Sequence, residues 1–240
     1  MTLTRNLPLV PTQAALLFID VQNFSAHRQG AEFASLSQDA CEQTYGWYFA
    51  QLESRVIPNM QSIQTACRQA GIEVIYTTIE SLTLDGRDRS LDYKITGFDV
   101  AKGAWDVQVI DQIAPQGDEI VLAKTSSSVF ISTNIDYVLR NLGVKQLVIS
   151  GVIIDQCVES AIHDACDLGY LVTQVSYACL TYSAQRHAQS LRTIQGVIPP
   201  FLMGLSRRIH AAVFSFMAGV IPPIAMLGRS LLYVQSHFAA

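Results

Sequence analysis

Five apolar runs of strand length alternate with stretches of helical periodicity, and this alternation constrains the fold more than any other feature of the chain. The runs are almost continuously hydrophobic, as in strands that a parallel sheet buries on both faces. They are AALLFID (14–20), IEVIYTT (72–78), EIVLAK (119–124), KQLVISG (145–151) and YLVTQV (170–175). Helices are predicted at 53–70, 104–113, 133–142, 157–168 and 184–195. This order predicts an α/β fold with a doubly wound, mostly parallel sheet flanked by helices.

Two segments depart from the alternation. Residues 80–103 are too polar and too rich in glycine for a strand, so we predict a long loop, which in a compact domain is often functional. In the C-terminal part the chain becomes apolar, and Ala211–Gly228 carries no charge, but the pair Pro222-Pro223 interrupts any single membrane-spanning helix. We therefore predict one folded domain at 1–196 and an apolar tail at 197–240, with membrane attachment through the tail as an unfavoured alternative.

The charge and the cysteine content narrow the class of function. The 240 residues carry a net charge of −4 and no long block of lysine or arginine, so we predict no nucleic-acid partner. Five cysteines without pairwise spacing favour a reducing compartment, and the N-terminus lacks the pattern of a secretory signal, so we expect a cytoplasmic protein. Because 50% of the residues are hydrophobic and only 15% are charged, we expect a homodimer or a homotetramer.

Three reactive residues stand at the ends of predicted strands. Asp20 closes the first strand, Lys124 closes the third, and Cys157 follows the fourth at the start of a helix. Ligands of open α/β sheets bind at the carboxyl ends of the strands, so we expect these three side chains to converge.

The three residue types together suit nucleophilic catalysis. Only the thiolate of cysteine is a good nucleophile, and a helix N-terminus with a neighbouring ammonium favours that anion, so we expect a lowered pKa for Cys157. A carboxylate can take the thiol proton and later deliver it to a leaving amine. Each residue also has an ordinary structural explanation, and these stay open: Asp20 as a helix cap, Lys124 as a solvated side chain, and Cys157 as an inert buried thiol.

Three sequence motifs resemble the isochorismatase-like cysteine hydrolases. They are FIDVQN around Asp20, VLAKTSSSVF around Lys124 and GVIIDQCVESAIHDACDLGY around Cys157. The match spans about residues 12–195 in the family's order, and it is most similar to the metal-free ureidoacrylate, N-carbamoyl and biuret amidohydrolases.

The resemblance implies a fold and a mechanism. It implies a six-stranded, mostly parallel sheet, a catalytic triad of Asp20, Lys124 and Cys157, and a cis peptide bond between Val152 and Ile153. The N–H groups of Ile153 and Cys157 would then form the oxyanion hole. The implied reaction is cleavage of a C–N bond in a small amide, ureide or carbamoyl substrate through a thioester on the cysteine.

The chain also departs from some family patterns. Nicotinamidases carry a metal-binding Asp-x-His pair and a further histidine, whereas the corresponding region here offers only His27, so we predict no metal and no cofactor. Tyr177 stands where relatives usually have aspartate. His163 and His187 are expected outside the site, the latter on the surface.

Four further residues are candidates for substrate binding. Asn23 and Glu80 each follow a strand, Tyr137 lies by the helix after Lys124 and would form a wall of the pocket, and Gln156 directly precedes the cysteine. Structural explanations stay open for them too, and Phe130 is expected in the core. The alternative function is a catalytically silent member of the family that serves as a binding or interaction module.

Overall fold

A computed structural model describes residues 7–197 of the chain. The predicted tail at 197–240 lies outside the described residues except for Val197, so the boundary between domain and tail stays a prediction. No helix among residues 7–197 is both long enough and apolar enough to cross a membrane.

The predicted sheet is confirmed, and it is parallel throughout. Its strands are β1 (Ala14–Ile19), β2 (Glu73–Ile79), β3 (Ile120–Lys124), β4 (Gln146–Val152) and β5 (Leu171–Leu180). They lie in the order β3-β2-β1-β4-β5, and each neighbouring pair is parallel. The chain order reverses on either side of β1, so the crevice of a doubly wound sheet opens at the carboxyl ends of β1 and its neighbours.

The number of strands differs from the expectation. The resemblance implied six strands, whereas the sheet formed within residues 7–197 has five. The reason is visible in the sequence, because this part of the chain contains only five apolar runs of strand length.

Helices cover both faces of the sheet. They are α1 (Asn23–Ala26), α2 (Gln38–Gln51), α3 (Ile57–Gln69), α4 (Leu91–Thr96), α5 (Val129–Ser132), α6 (Ile135–Asn141), α7 (Glu159–Asp167) and α8 (Ala184–Val197). Wide helical turns, Leu52–Val56 and Ile154–Val158, precede α3 and α7. Helices α3, α6, α7 and α8 correspond to predicted helices.

Two predictions about local structure were wrong, and one helix was missed. Helix α2 was not predicted, because it buries only Tyr48 and Phe49 and its sequence therefore has little periodicity. The helix expected at 104–113 is replaced by two short 3₁₀ turns, because Val109 pairs with Gln22 in an isolated antiparallel bridge and holds the chain extended between them. The loop expected at 80–103 contains α4.

Alternate side chains of β1 enter two separate cores. Leu16 and Phe18 pack on the face that α2 and α3 cover, together with Met60 of α3. Leu17 and Ile19 pack on the face that α6, α7 and α8 cover. Burying each such side chain contributes roughly 1.5–3 kcal/mol, so the central strand is anchored on both sides and its carboxyl end has a fixed position.

Gly151 lets β1 and β4 approach closely beside the start of the Cys157 turn. A Cβ atom on Gly151 would lie 2.3 Å from the carbonyl oxygen of Ile19 and 2.8 Å from its Cβ. We therefore expect Gly151→Ala to lower the free energy of unfolding by about 3 kcal/mol, because the two strands must separate. Urea unfolding measures this loss. Gly143→Ala is the control: its φ is 73° with nothing within 4 Å, so only about 1 kcal/mol of backbone strain is expected. Equal losses for the two variants would contradict this account.

Candidate active site

The carboxyl ends of three strands bring Asp20, Lys124 and Cys157 together. The Nζ atom of Lys124 lies 2.8 Å from Oδ2 of Asp20 and 3.4 Å from Sγ of Cys157. Strand β2 separates β3 from β1, so the long lysine side chain spans the distance from the sheet edge to the centre. All three residues are buried, and Lys124 has no exposed surface at all.

Asp20 is held in place by the neighbouring strand. Its backbone has a φ of 52°, in the left-handed region that aspartate tolerates better than most residues. Its N–H donates to the carbonyl oxygen of Thr77 at 3.1 Å, and the Thr77 hydroxyl donates to Oδ1 at 2.7 Å. One carboxylate oxygen therefore binds a hydroxyl and the other the ammonium of Lys124, which fixes the orientation of the group.

Lys124 is a buried cation with its charge compensated. Besides Asp20 and Cys157, its ammonium donates to the carbonyl oxygen of Ser126 at 2.8 Å. Burial lowers the pKa of Lys124, but the negative charges of Asp20 and of a Cys157 thiolate, with hydrogen bonds to both, outweigh burial and raise the pKa above its ordinary value. The lysine is therefore charged at neutral pH.

Cys157 lies in the wide turn Ile154–Val158 that leads into α7 and is only 7% exposed. Three side chains of residues 7–197 place a hydrogen-bond donor near its sulfur. They are Lys124 at 3.4 Å, Ser127 through Oγ at 3.7 Å and Tyr93 through its hydroxyl at 4.0 Å.

The resting thiol is protonated, contrary to the prediction of a lowered pKa. Burial raises the pKa of Cys157 most; the ammonium of Lys124 lowers it, and the charge of Asp20 raises it again, to about 11 in total. The prediction was wrong chiefly because burial of the sulfur outweighs the ammonium, and also because Lys124 does not face the sulfur alone. It is paired with Asp20, so the cluster offers the thiolate little net positive charge.

This pKa predicts how Cys157 reacts with iodoacetamide. We expect its alkylation rate to rise about tenfold per pH unit from pH 7 to about 10, because only the thiolate reacts. A short unstructured peptide with one cysteine is the control, and its rate levels off above the ordinary thiol pKa of about 8.5. Mass spectrometry of the peptide that contains Cys157 gives the rate. A rate independent of pH between about 6 and 9 would show a resting thiolate–ammonium pair instead.

The turn before Cys157 contains the cis peptide bond that the resemblance implied, between Val152 and Ile153. The carbonyl oxygen of Ile153 accepts from the N–H groups of Gln156 and Val158 at 3.1 and 3.4 Å, which closes the turn around the cysteine. The donation by Ile153 and Cys157 N–H groups to an oxyanion stays a prediction.

Hydrogen bonds of Asp155 hold the same turn against β5 and α8. Its carboxylate accepts from the hydroxyl of Thr181 and from Nε of Arg186, both at 2.6 Å. Thr181 follows β5 and Arg186 lies in α8, so two elements hold the residue that precedes Gln156 and Cys157.

The predicted substrate-binding residues lie around the site without reaching the sulfur. Asn23 donates from its side-chain amide to the carbonyl oxygen of Trp105 at 3.1 Å, and Glu80 accepts from the N–H of Gly103 at 2.9 Å, so both hold loops. Gln156 is exposed. No hydrogen bond in the described part of the chain joins these side chains to Cys157.

Tyr137 is 70% exposed on α6, because the buried residues of that helix are Ile135 and Leu139 on its other side. Its role in substrate binding stays a prediction. Phe130 packs against the core beside Tyr170, as expected.

Three contact residues of the site were not predicted: Thr77, Ser127 and Tyr93. Thr77 is a polar residue near the end of an apolar strand, and Ser127 stands three residues after Lys124, so the sequence positions of both could have indicated that they belong to the site. Tyr93 lies in the segment predicted as a loop, and nothing in the sequence pointed to it.

Within residues 7–197, no hydrogen bond or ion pair joins His27, His163, His187 or Tyr177 to this cluster. His27 accepts from the N–H of Gln29 at 3.1 Å and packs edge-on against Trp105. Nε2 of His163 lies 3.7 Å from Oε1 of Glu159, and both residues are on α7. No group of three or more His, Cys, Asp or Glu side chains within residues 7–197 is arranged to hold a metal ion.

Two further positions complete the comparison with the sequence. His187 is partly buried rather than on the surface, and burial lowers its pKa. Tyr177 is partly buried in β5, and its carbonyl oxygen accepts from the side-chain amide of Asn59 at 3.0 Å.

Comparison with protein families and with solved structures gives isochorismatase-like proteins in both cases. The family profile of the isochorismatase domain matches residues 14–201. A cysteine hydrolase from Pseudomonas syringae pv. phaseolicola 1448A superposes with a TM-score of 0.69 and 24% identity, over 86% of this chain and 97% of that one. For N-carbamoylsarcosine amidase from Thermoplasma acidophilum the TM-score is 0.58 and the identity is 24%, over 77% of this chain and 93% of that one. For a pyrazinamidase/nicotinamidase from Streptococcus mutans UA159 the TM-score is 0.57 and the identity is 21%, over 77% of this chain and 96% of that one. At these identities the structural likeness shows a shared fold.

Proposed function

Because the chain belongs to the isochorismatase family, we propose that it is a cysteine hydrolase that cleaves the C–N bond of a small amide, ureide or carbamoyl compound. Asp20, Lys124 and Cys157 act as its catalytic residues. The observation that carries this proposal is the buried contact of the three groups, with Lys124 2.8 Å from Asp20 and 3.4 Å from the Cys157 sulfur.

The reaction begins with a proton transfer inside the cluster. Asp20 takes the proton of the Cys157 thiol as the sulfur attacks the substrate carbonyl carbon, so an S–C bond forms and the carbonyl π electrons move to oxygen. Lys124 keeps its proton and compensates the negative charge, whether that charge lies on the carboxylate or on the sulfur. The N–H groups of Ile153 and Cys157 hold the oxyanion.

Collapse of this intermediate breaks the C–N bond. Asp20 gives its proton to the departing nitrogen, so ammonia or an amine leaves and a thioester remains on Cys157. Water then attacks the thioester carbonyl and gives a proton to Asp20. When the S–C bond breaks, that proton returns to the sulfur, and the acid is released with the site restored.

Two observations support a small amide or ureide as the substrate class. Cys157 is only 7% exposed and two of its donors, Lys124 and Tyr93, are buried as well, which suits a small substrate more than a polymer. A structural neighbour is an N-carbamoylsarcosine amidase and another is a nicotinamidase. The first of these names favours a carbamoyl or ureide compound.

The test is ammonia release from a panel of small amides and ureides. The panel contains ureidoacrylate, carbamoyl-amino acids, biuret, maleamate and nicotinamide. We expect turnover of at least one ureide or carbamoyl compound by the wild type and none by Cys157→Ser. Tight binding of panel members without any ammonia release would instead support the alternative, a silent family member that serves as a binding module.

We also propose a homodimer or homotetramer that works in the cytoplasm without a cofactor. Exposed apolar side chains, among them Leu84 and Ile131, support association with further copies. The free thiols Cys41, Cys67, Cys157 and Cys179 support a reducing compartment. Light scattering of the purified protein tests the first of these proposals, and a monomer would contradict it.

A further inference from the structure

Tyr93 lies against the reacting sulfur, although neither the strand ends nor the family motifs point to it. Its hydroxyl oxygen is 4.0 Å from Sγ of Cys157, within hydrogen-bonding distance for sulfur, and the residue is only 8% exposed. It adds a third donor at the sulfur, from a different segment of the chain than Lys124 and Ser127, which both lie at the end of β3.

The segment at 80–103 is attached so that Tyr93 keeps this position. Helix α4 begins after Ser90, whose hydroxyl accepts from the N–H of Tyr93 at 3.3 Å. The N–H of Ser90 donates to the carbonyl oxygen of Thr125 at 2.9 Å, and Thr125 directly follows Lys124. The helix that carries Tyr93 is therefore tied to the end of the strand that carries the catalytic lysine.

The aromatic ring of Tyr93 is fixed by packing as well. It lies 4.7 Å from the ring of Phe98, which in turn packs edge-on at 5.0 Å against Phe24. Tyr93 is the buried residue of α4, whereas Leu91 and Ile95 are 73% and 75% exposed. The helix therefore directs its phenol inward to the site, and the rotation of the ring is restricted.

Once the thiol has lost its proton, the phenol of Tyr93 can act only as the donor in this hydrogen bond. Burial, with the nearby charges of Cys157 and Asp20, raises the pKa of Tyr93 well above its ordinary value, so the phenol stays protonated. While the thiol is also protonated, either atom can donate to the other. After Asp20 accepts the thiol proton, the sulfur is an acceptor only, and the hydrogen bond becomes charge-assisted and stronger.

Building on the hydrolase function proposed above, we propose that Tyr93 is a catalytic residue whose hydroxyl donates a hydrogen bond to the Cys157 thiolate. This bond stabilises the anion during its formation and during its release from the thioester. The hydroxyl of Ser127 donates a second such bond at 3.7 Å. The segment at 80–103 thus takes part in the chemistry itself.

The test compares Tyr93→Phe with the wild type, because phenylalanine keeps the ring and removes only the hydroxyl. We expect the iodoacetamide alkylation rate of Cys157 at pH 8 to fall about tenfold, with the pH profile displaced to higher pH. In steady-state hydrolysis we expect kcat to fall about tenfold and KM to change less than about twofold. Tyr45→Phe removes a phenol on α2, which covers the opposite face of the sheet from Cys157, and is the matched control, with no change expected.

The two measurements separate this proposal from the proposed function. An unchanged alkylation profile in a folded Tyr93→Phe protein would overturn the role of Tyr93, and so would a change confined to KM. If the wild type hydrolyses no panel compound, the hydrolase function fails, while the alkylation profile still decides whether the phenol stabilises the thiolate. Should Tyr93→Phe not fold, 3-fluorotyrosine at position 93, a more acidic phenol, is expected to raise the alkylation rate at pH 8; an unchanged or lower rate would overturn the proposal.

Discussion

Cys157→Ala is expected to lower kcat/KM for C–N bond hydrolysis by a factor on the order of 10⁴ or more. Without the sulfur no thioester can form, and loss of the nucleophile from a group of residues that act as a unit removes most of the rate enhancement. The fold should persist, because the ion pair between Asp20 and Lys124 remains, with Lys124 still bonded to the carbonyl oxygen of Ser126. Ammonia release from the best panel substrate, measured per folded molecule, gives this ratio.

Cys67→Ala is the matched control for this experiment. Cys67 is also a buried thiol, but it lies in α3 on the opposite face of the sheet from Cys157. We expect this variant to keep its activity per folded molecule within about twofold, even if its stability falls by about 1 kcal/mol or more. Hydrolysis by Cys157→Ala at a tenth of the wild-type rate would contradict a nucleophilic role.

Single replacements in the Asp20–Lys124 pair are expected to have the largest effects on stability. Lys124→Met leaves a buried carboxylate without its counter-charge, and Asp20→Asn leaves a buried ammonium in the same state. Removing one partner of a buried ion pair costs about 3–5 kcal/mol. The double variant removes both charges, so we expect its free energy of unfolding to return to within about 2 kcal/mol of the wild type. All three variants should lack hydrolase activity.

Urea unfolding of the four proteins gives the coupling energy of the pair. The exposed pair of Asp136 and Arg140, 3.0 Å apart on one face of α6, is the control, and its removal should cost less than about 1 kcal/mol. If the losses of the two single variants simply added in the double variant, the buried pair would have no coupling, and the electrostatic account of the site would be wrong.

The sequence predicts the parts of the fold that depend on local composition. Buried parallel strands need continuous apolar runs, and residues that end such strands must meet at one edge of the sheet, so Asp20 and Lys124 could be placed from the sequence. The position of Cys157 after β4 followed in the same way. Helix α2 and the 3₁₀ turns at 105–113 could not be predicted, since tertiary contacts rather than periodicity determine them.

The chemistry within the site was harder to predict than its location. The sequence shows that an ammonium and a thiol meet, but the pKa of Cys157 depends on burial and on the competing charge of Asp20, neither of which spacing reveals. Tyr93 reaches the sulfur only because Ser90 ties α4 to the end of β3, a contact between segments with no common motif.

The most direct test of the whole account is to stop the reaction with acid during the first turnovers and to measure the mass of the peptide that contains Cys157. The account predicts an added mass equal to the acyl part of the substrate on that peptide, which forms before product and disappears as product accumulates. Product formation with an unmodified Cys157 peptide throughout, or with the acyl group on another residue, would contradict it.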